Sequence, residues 1–154
     1  QRQMCIRDRH RCGSRASSNI LQKLSFESFN DNFSPTRTES DWLSRDEHQV
    51  DKYIKDPLCG GAPSTKTWFD FMHGMNQIFN SRNLNLIDKK VPIHFISGDK
   101  DPVGKNGKGV VKFKNLLLDA GFKQVTLKLY PESRHELIND LDRDKGYSRC
   151  QNMA

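Results

Sequence analysis

The stretch ISGDKDPVG (residues 96–104) sets Asp99 and Asp101 one lysine apart behind a short apolar run, and YPESRHELIND (130–140) carries His135. Three chemistries could use the two aspartates. A calcium loop starting at Asp99 would match at Asp101 and at Gly104, but it would offer Val103 where an oxygen ligand is needed and Val110 where a bidentate glutamate closes the site. A phosphate loop needs two glycines with four residues between them, followed by Lys and then Ser or Thr. Here Gly98 and Gly104 have five residues between them, and Asn106 follows Lys105. What remains is a carboxylate just beyond the end of a strand. Such a group can accept a hydrogen bond from one imidazole nitrogen and fix the tautomer, so that the other nitrogen takes a proton from a hydroxyl nucleophile and returns it to the leaving group. Spacing alone leaves the plainer readings open: Asp-Pro after glycine is a common turn, and a histidine after a strand is often a surface or helix-start residue.

These residues need elements to bring them together. VPIHFIS (91–97), β-branched and bounded by Pro92 and Gly98, reads as a fully buried strand. GVVKFKNLLLDAGF follows, with Val110, Val111, Phe113, Leu117 and Leu118 at helical spacing and Gly121 as the stop. VTLKLY (125–130) alternates as a strand nearer a sheet edge does. Strand, helix and strand in about forty residues make a βαβ unit with two parallel strands, whose ligand rim lies beyond their carboxyl ends. Asp101 and His135 would share that rim.

Upstream, SRDEHQVDKYIKDP reads as a short helix, with Ser44 and Glu47 at capping-box spacing, Val50, Tyr53 and Ile54 on one face, and Pro57 as terminator. DPLCGGAP is a turn-rich joint. Between Ser64 and Phe79, the residues Trp68, Phe71, Met72, Met75, Ile78 and Phe79 recur at helical spacing; the stripe reads as a core-facing helix, with an acyl-pocket wall as the alternative. Residues 16–39, rich in Ser, Asn and Phe, read as an irregular entry.

Composition limits the remaining choices. Of the 154 residues only 34% are hydrophobic, poor for a domain that buries its own core, and no run approaches the length of a membrane span. Cys5, Cys12, Cys59 and Cys150 show no C-x-x-C spacing and no metal partner nearby, so the sequence supports neither a metal site nor a disulfide framework. Residues 1–15 hold five arginines against one aspartate, +4 of the net +6, and the rest is nearly balanced. An electrostatic arm for nucleic acid is one reading of this tail, testable by deleting it and following salt-sensitive binding. The other is that QRQMCIRDR is a translated sequencing adapter and no native part of the fold, which is the reading adopted here.

ISGDKDPVG followed by YPESRHELIND resembles the C-terminal part of an α/β-hydrolase of the serine aminopeptidase S33 group, which includes monoacylglycerol lipases and lysophospholipases. SPTRTESDWLSRDEHQVDKYIKDPLCG (34–60) is similar to the segment upstream of the acid in bacterial members, and the resemblance spans roughly residues 26–145. It implies an α/β fold containing the C-terminal portion of such a core, a βαβ unit with preceding helices from the cap-to-core region. In domain terms, it implies a non-native tail (1–15), an entry with a short helix (16–60) and core sequence (61–154). In that family the acid is the fourth residue of a G-x-x-D turn, here Asp101, which leaves Asp99 as a turn neighbour. The histidine maps to His135.

The implied activity is hydrolysis of carboxylic esters of lysophospholipid or monoacylglycerol type, with amide cleavage as the alternative. The implied partner is a small acyl ester, with transient contact to a lipid surface left open. No cofactor, metal or nucleic acid is implied, and the cytoplasm is the expected location. The departure is the nucleophile: G-x-S-x-G occurs nowhere in these residues. Because the order in this fold is Ser, Asp, His, an N-terminally truncated gene is expected. GYSRCQNMA (146–154) lacks the periodicity of the closing helix that the resemblance implies.

Overall fold

The computed structural model describes Ala16, Ser17, Leu21 and residues 26–144; the expectations for residues 1–15 and 146–154 lie outside the described residues. The chain forms two compact units, one from residues 1–28 with 60–87 and one from 29–59 with 88–154.

In the first unit, helix α2 (Thr65–Ile78) starts where the Ser64 side chain accepts the Thr67 N–H, and helix α3 (Ser81–Leu84) is capped by Asn80. The Thr65 N–H donates to Ala16 O at 2.9 Å, and Ser17 bridges Ser64 in antiparallel fashion. Leu21 and Trp68 form the core, with Phe69 and Met72 packed against them. The core-facing stripe expected from sequence holds only at this end of α2. Phe71, Ile78 and Phe79 are exposed, because among the described residues of this unit the buried cluster gathers around Leu21 and Trp68.

The second unit carries helix α1 (Glu47–Lys55), strand β1 (Ile93–Gly98), helix α4 (Lys108–Asp119) and strand β2 (Val125–Tyr130), with single 3-10 turns at Asp41–Leu43 and Leu137–Asn139, and it takes the longer 3-10 segment Glu27–Phe33 from Phe29 onward. β1 and β2 pair in parallel from Ile93 opposite Val125 to Gly98 opposite Tyr130, the expected βαβ unit. α4 ends in a Schellman arrangement: Gly121, at φ +91°, donates to Leu118 O at 2.9 Å, and Phe122 donates to Leu117 O at 3.1 Å. Phe95 of β1 meets Phe113 of α4 with ring centroids 5.5 Å apart, fixing helix to sheet.

Two local expectations are corrected here. β1 is buried only at Ser97 and Gly98 and half-buried before them, since among the described residues it has a single neighbouring strand. The cap of α1 is Asp46, whose carboxylate accepts the His48 and Gln49 N–H groups at 3.1 and 3.4 Å. Ser44 sits two residues too early for that role; its hydroxyl donates to Asn139 O at 2.8 Å and accepts the Asp46 N–H at 2.9 Å.

Candidate active site

Both strands end at one rim, and the loops leaving them are tied together backbone to backbone. The Asp99 N–H donates to Tyr130 O at 3.0 Å, the Lys100 N–H to Ser133 O at 3.1 Å, and Asp99 Oδ1 accepts the Glu132 N–H at 2.8 Å. Gly98 makes this approach possible: a Cβ there would lie 2.0 Å from Ser133 O and 2.3 Å from Arg134 O. Any side chain would push away the strand of chain that leads into His135.

Asp101 is fixed by a tight loop. Its carbonyl accepts the Asn106 N–H at 2.8 Å, its Oδ1 accepts the Val103 N–H at 2.9 Å, and Lys105, Asn106 and Gly107 all take positive φ before α4 begins. The carboxylate is buried. His135 Nδ1 lies 3.0 Å from Asp101 Oδ1. A carboxylate can only accept, so Nδ1 carries the proton and donates, which leaves Nε2 as the nitrogen able to take a proton. That hydrogen bond is also the main reason the His135 pKa is raised; partial burial works the other way, and the charges of Asp101 and Glu136 add to the rise.

The backbone and ring of His135 are held from the other side by residues 41–46. Its ring meets Trp42 at 5.2 Å, Trp42 in turn meets Phe29 at 4.9 Å, and the Glu136 N–H donates to Leu43 O at 2.8 Å. The Arg134 guanidinium lies 4.3 Å from the centre of the Phe33 ring and donates to the carbonyls of Asp41 and Ser44. Arg45 and Asp140 form an ion pair at 2.9 Å, in which the Asp140 carboxylate is almost wholly buried.

Sequence reasoning singled out Asp101 and His135, and the structure brings them into hydrogen-bonding contact; it gives Asp99 a separate role as the staple between the two loops. Trp42, Arg45, Arg134 and Asp140 were not singled out. Their partners lie up to 97 residues away along the chain, so no spacing rule reaches them. Among the described residues no group of three or more His, Cys, Asp or Glu side chains could hold a metal ion.

Comparison with known proteins adds the family. No protein of curated function matches. Among solved structures, a thermostable carboxyl esterase from Bacillus coagulans in complex with glycerol matches with a TM-score of 0.84 at 24% identity, over 99% of this chain and 49% of its own. A lipase in an open form matches with a TM-score of 0.81 at 22% identity, over 98% and 49%. A soluble variant of the monoglyceride lipase of Saccharomyces cerevisiae, in complex with a substrate analogue, matches with a TM-score of 0.61 at 17% identity, over 95% and 50%. The chain thus spans about half the length of these structures, and the shared feature is the α/β-hydrolase fold. The family model for serine aminopeptidase, S33, matches residues 3–142, and that match includes both loops of the rim. With nearly the whole sequence accounted for in this way, the chain belongs to the serine aminopeptidase S33 family.

Proposed function

We propose that this chain carries the acid–base half of a serine hydrolase acting on carboxylic esters, with monoacylglycerols or lysophospholipids as the substrate class. The observation that carries the reading is the 3.0 Å contact between His135 Nδ1 and Asp101 Oδ1 on the rim beyond two parallel strands. His135 Nε2 takes the proton of a serine hydroxyl as that oxygen attacks the ester carbonyl, then gives it to the departing alcohol; a water repeats the cycle to release the acid. Asp101 holds the tautomer and stabilises the imidazolium that forms.

The serine belongs to sequence outside these 154 residues. What supports this is the absence of G-x-S-x-G from these residues together with the order Ser, Asp, His in the fold. The ester substrate class draws on the esterase and lipases of similar fold. Amide cleavage is the second reading, favoured by the aminopeptidase description of the family.

Two measurements test the proposal. The 154-residue chain is expected not to react with a fluorophosphonate probe; His135-dependent labelling would place a nucleophile within it and overturn that part. In a gene that also carries the nucleophile, His135→Ala is expected to lower kcat by about 10⁴-fold or more, as loss of a triad base does. Retention of full activity would end the assignment. Glyceryl monoesters and amino-acid anilides assayed side by side on that protein decide between ester and amide.

A further inference from the structure

Asp140 makes no hydrogen bond to the His135 ring, yet it is bonded to the residue before His135, Arg134, and through Arg45 to Ser133. Its Oδ2 accepts the Arg134 N–H at 3.0 Å, and its Oδ1 accepts Arg45 Nε at 2.9 Å and the Leu141 N–H at 2.7 Å. Arg45 then extends the tie, its Nη2 donating to Ser133 Oγ at 3.1 Å and to Asp142 at 2.9 Å. Ser133 and Asp140 are both fully buried. The segment from Ser133 to Asp142 is therefore a closed loop drawn around one buried carboxylate, with His135 at its turn.

This is costly to build. The Asp140 carboxylate is withdrawn from water and the Arg45 guanidinium partly so; such a pair repays its desolvation only when its hydrogen bonds are well placed, and replacing a buried pair by apolar residues is often neutral or stabilising. A buried ion pair is thus weak evidence of a stability role. Where it fixes the backbone on the N-terminal side of a proton-transferring ring, orientation is the function its geometry serves, since a ring loosened by about 0.5 Å or 10–20° loses its productive alignment.

We propose that Asp140, acting through Arg45 and the Arg134 N–H, is the positioning residue that holds His135 Nδ1 on Asp101. The inference rests on the reading of His135 and Asp101 as the acid–base pair. Among the described residues the charges that act on the ring are those of Asp101 and Glu136, and Asp140 is tied to it only through the Arg134 N–H and Arg45.

The test is nitrogen-15 NMR of the histidine rings in the full 154-residue chain, which reports the ratio of the Nδ1–H to the Nε2–H tautomer of neutral His135. In the unmodified chain the Nδ1–H form is expected to dominate. Asp140→Asn is expected to lower the ratio by roughly threefold or more, the low end of couplings within one hydrogen-bond network. Ser133→Ala, which removes one Arg45 tie and leaves little void, is expected to lower it in the same direction and decides the matter if Asp140→Asn does not fold. Arg143→Met removes the separate ion pair with Asp46 and is expected to leave the ratio unchanged. A ratio that survives in folded Asp140→Asn or, failing that, in Ser133→Ala overturns the positioning role while leaving the pair intact. An equal fall in Arg143→Met also overturns it, as general loosening. Absence of the Nδ1–H preference in the unmodified chain would end the pairing itself, and the positioning role with it.

Discussion

His135 Nδ1 donates to Asp101 Oδ1 across 3.0 Å, joining the loop after the second strand to the loop after the first. Because this bond favours the protonated ring, the folded-state pKa of His135 lies above its unfolded value of about 6.5. A group raised on folding contributes stability that is complete below the unfolded pKa and is lost as pH rises through the folded pKa. Urea unfolding of the chain and of His135→Gln over a pH series should therefore differ most on the acid side. The gap is expected to be flat below about pH 6 and to shrink as the pH climbs past the raised value. A gap that widens with pH would mean that burial outweighs the hydrogen bond.

Asp99 and Asp101 are two residues apart and do unlike work. Asp99 Oδ1 accepts the Glu132 N–H at 2.8 Å at an exposed position, where water can replace it. Asp99→Ala is expected to cost about 1 kcal/mol by chemical denaturation, the ordinary worth of one such bond, and to leave the His135 titration in place. Asp101→Ala should move that titration downward, since it deletes the chief cause of the rise. Equal effects of the two substitutions on His135 would contradict the division of labour.

Gly98 is where the two loops come closest. The atoms a new Cβ would strike are the Ser133 and Arg134 carbonyl oxygens, which belong to backbone and cannot rotate aside. Gly98→Ala is therefore expected to lose about 3 kcal/mol or more, at or beyond the upper end for an overpacked site. It should also weaken the His135 to Asp101 contact, because the displaced segment is the one that carries the histidine. Thermal unfolding and the histidine NMR spectrum check the two halves separately, and a neutral Gly98→Ala would show that the loop has room to move.

The parts of this structure legible in the sequence are those governed by neighbours along the chain. VTLKLY reads as a strand at Val125–Tyr130 because its alternation is local, and Gly121 marks the end of α4 because a left-handed residue is needed there. The α1 cap falls at Asp46 and not at Ser44 although both suit a cap chemically, and what distinguishes them is that Ser44 is engaged with distant Asn139. The strand frame puts Asp101 and His135 on one rim, but choosing Asp101 over Asp99 and giving His135 its role rest on the resemblance to the S33 group. The ties of Arg45 and Arg134 to their partners are not legible, since a charge in SRDEH carries no sign of what it meets 95 residues later.

Helix α2 has a periodicity that the sequence displays and a packing extent that it does not. Trp68 and Phe71 are one turn apart with rings 6.2 Å from each other, but Trp68 is buried against Leu21 and Phe71 is half exposed at 53%. Helical spacing records that both lie near one face; it does not record how far the packing extends along it. Trp68→Ala is expected to cost about 3 kcal/mol or more, the loss of a large buried ring, while Phe71→Ala should cost clearly less, about 1 kcal/mol, because half of Phe71 stays in water after folding. Paired urea denaturation curves measure both. If Phe71→Ala proved as costly as Trp68→Ala, the exposed end of α2 would have to be packed in solution.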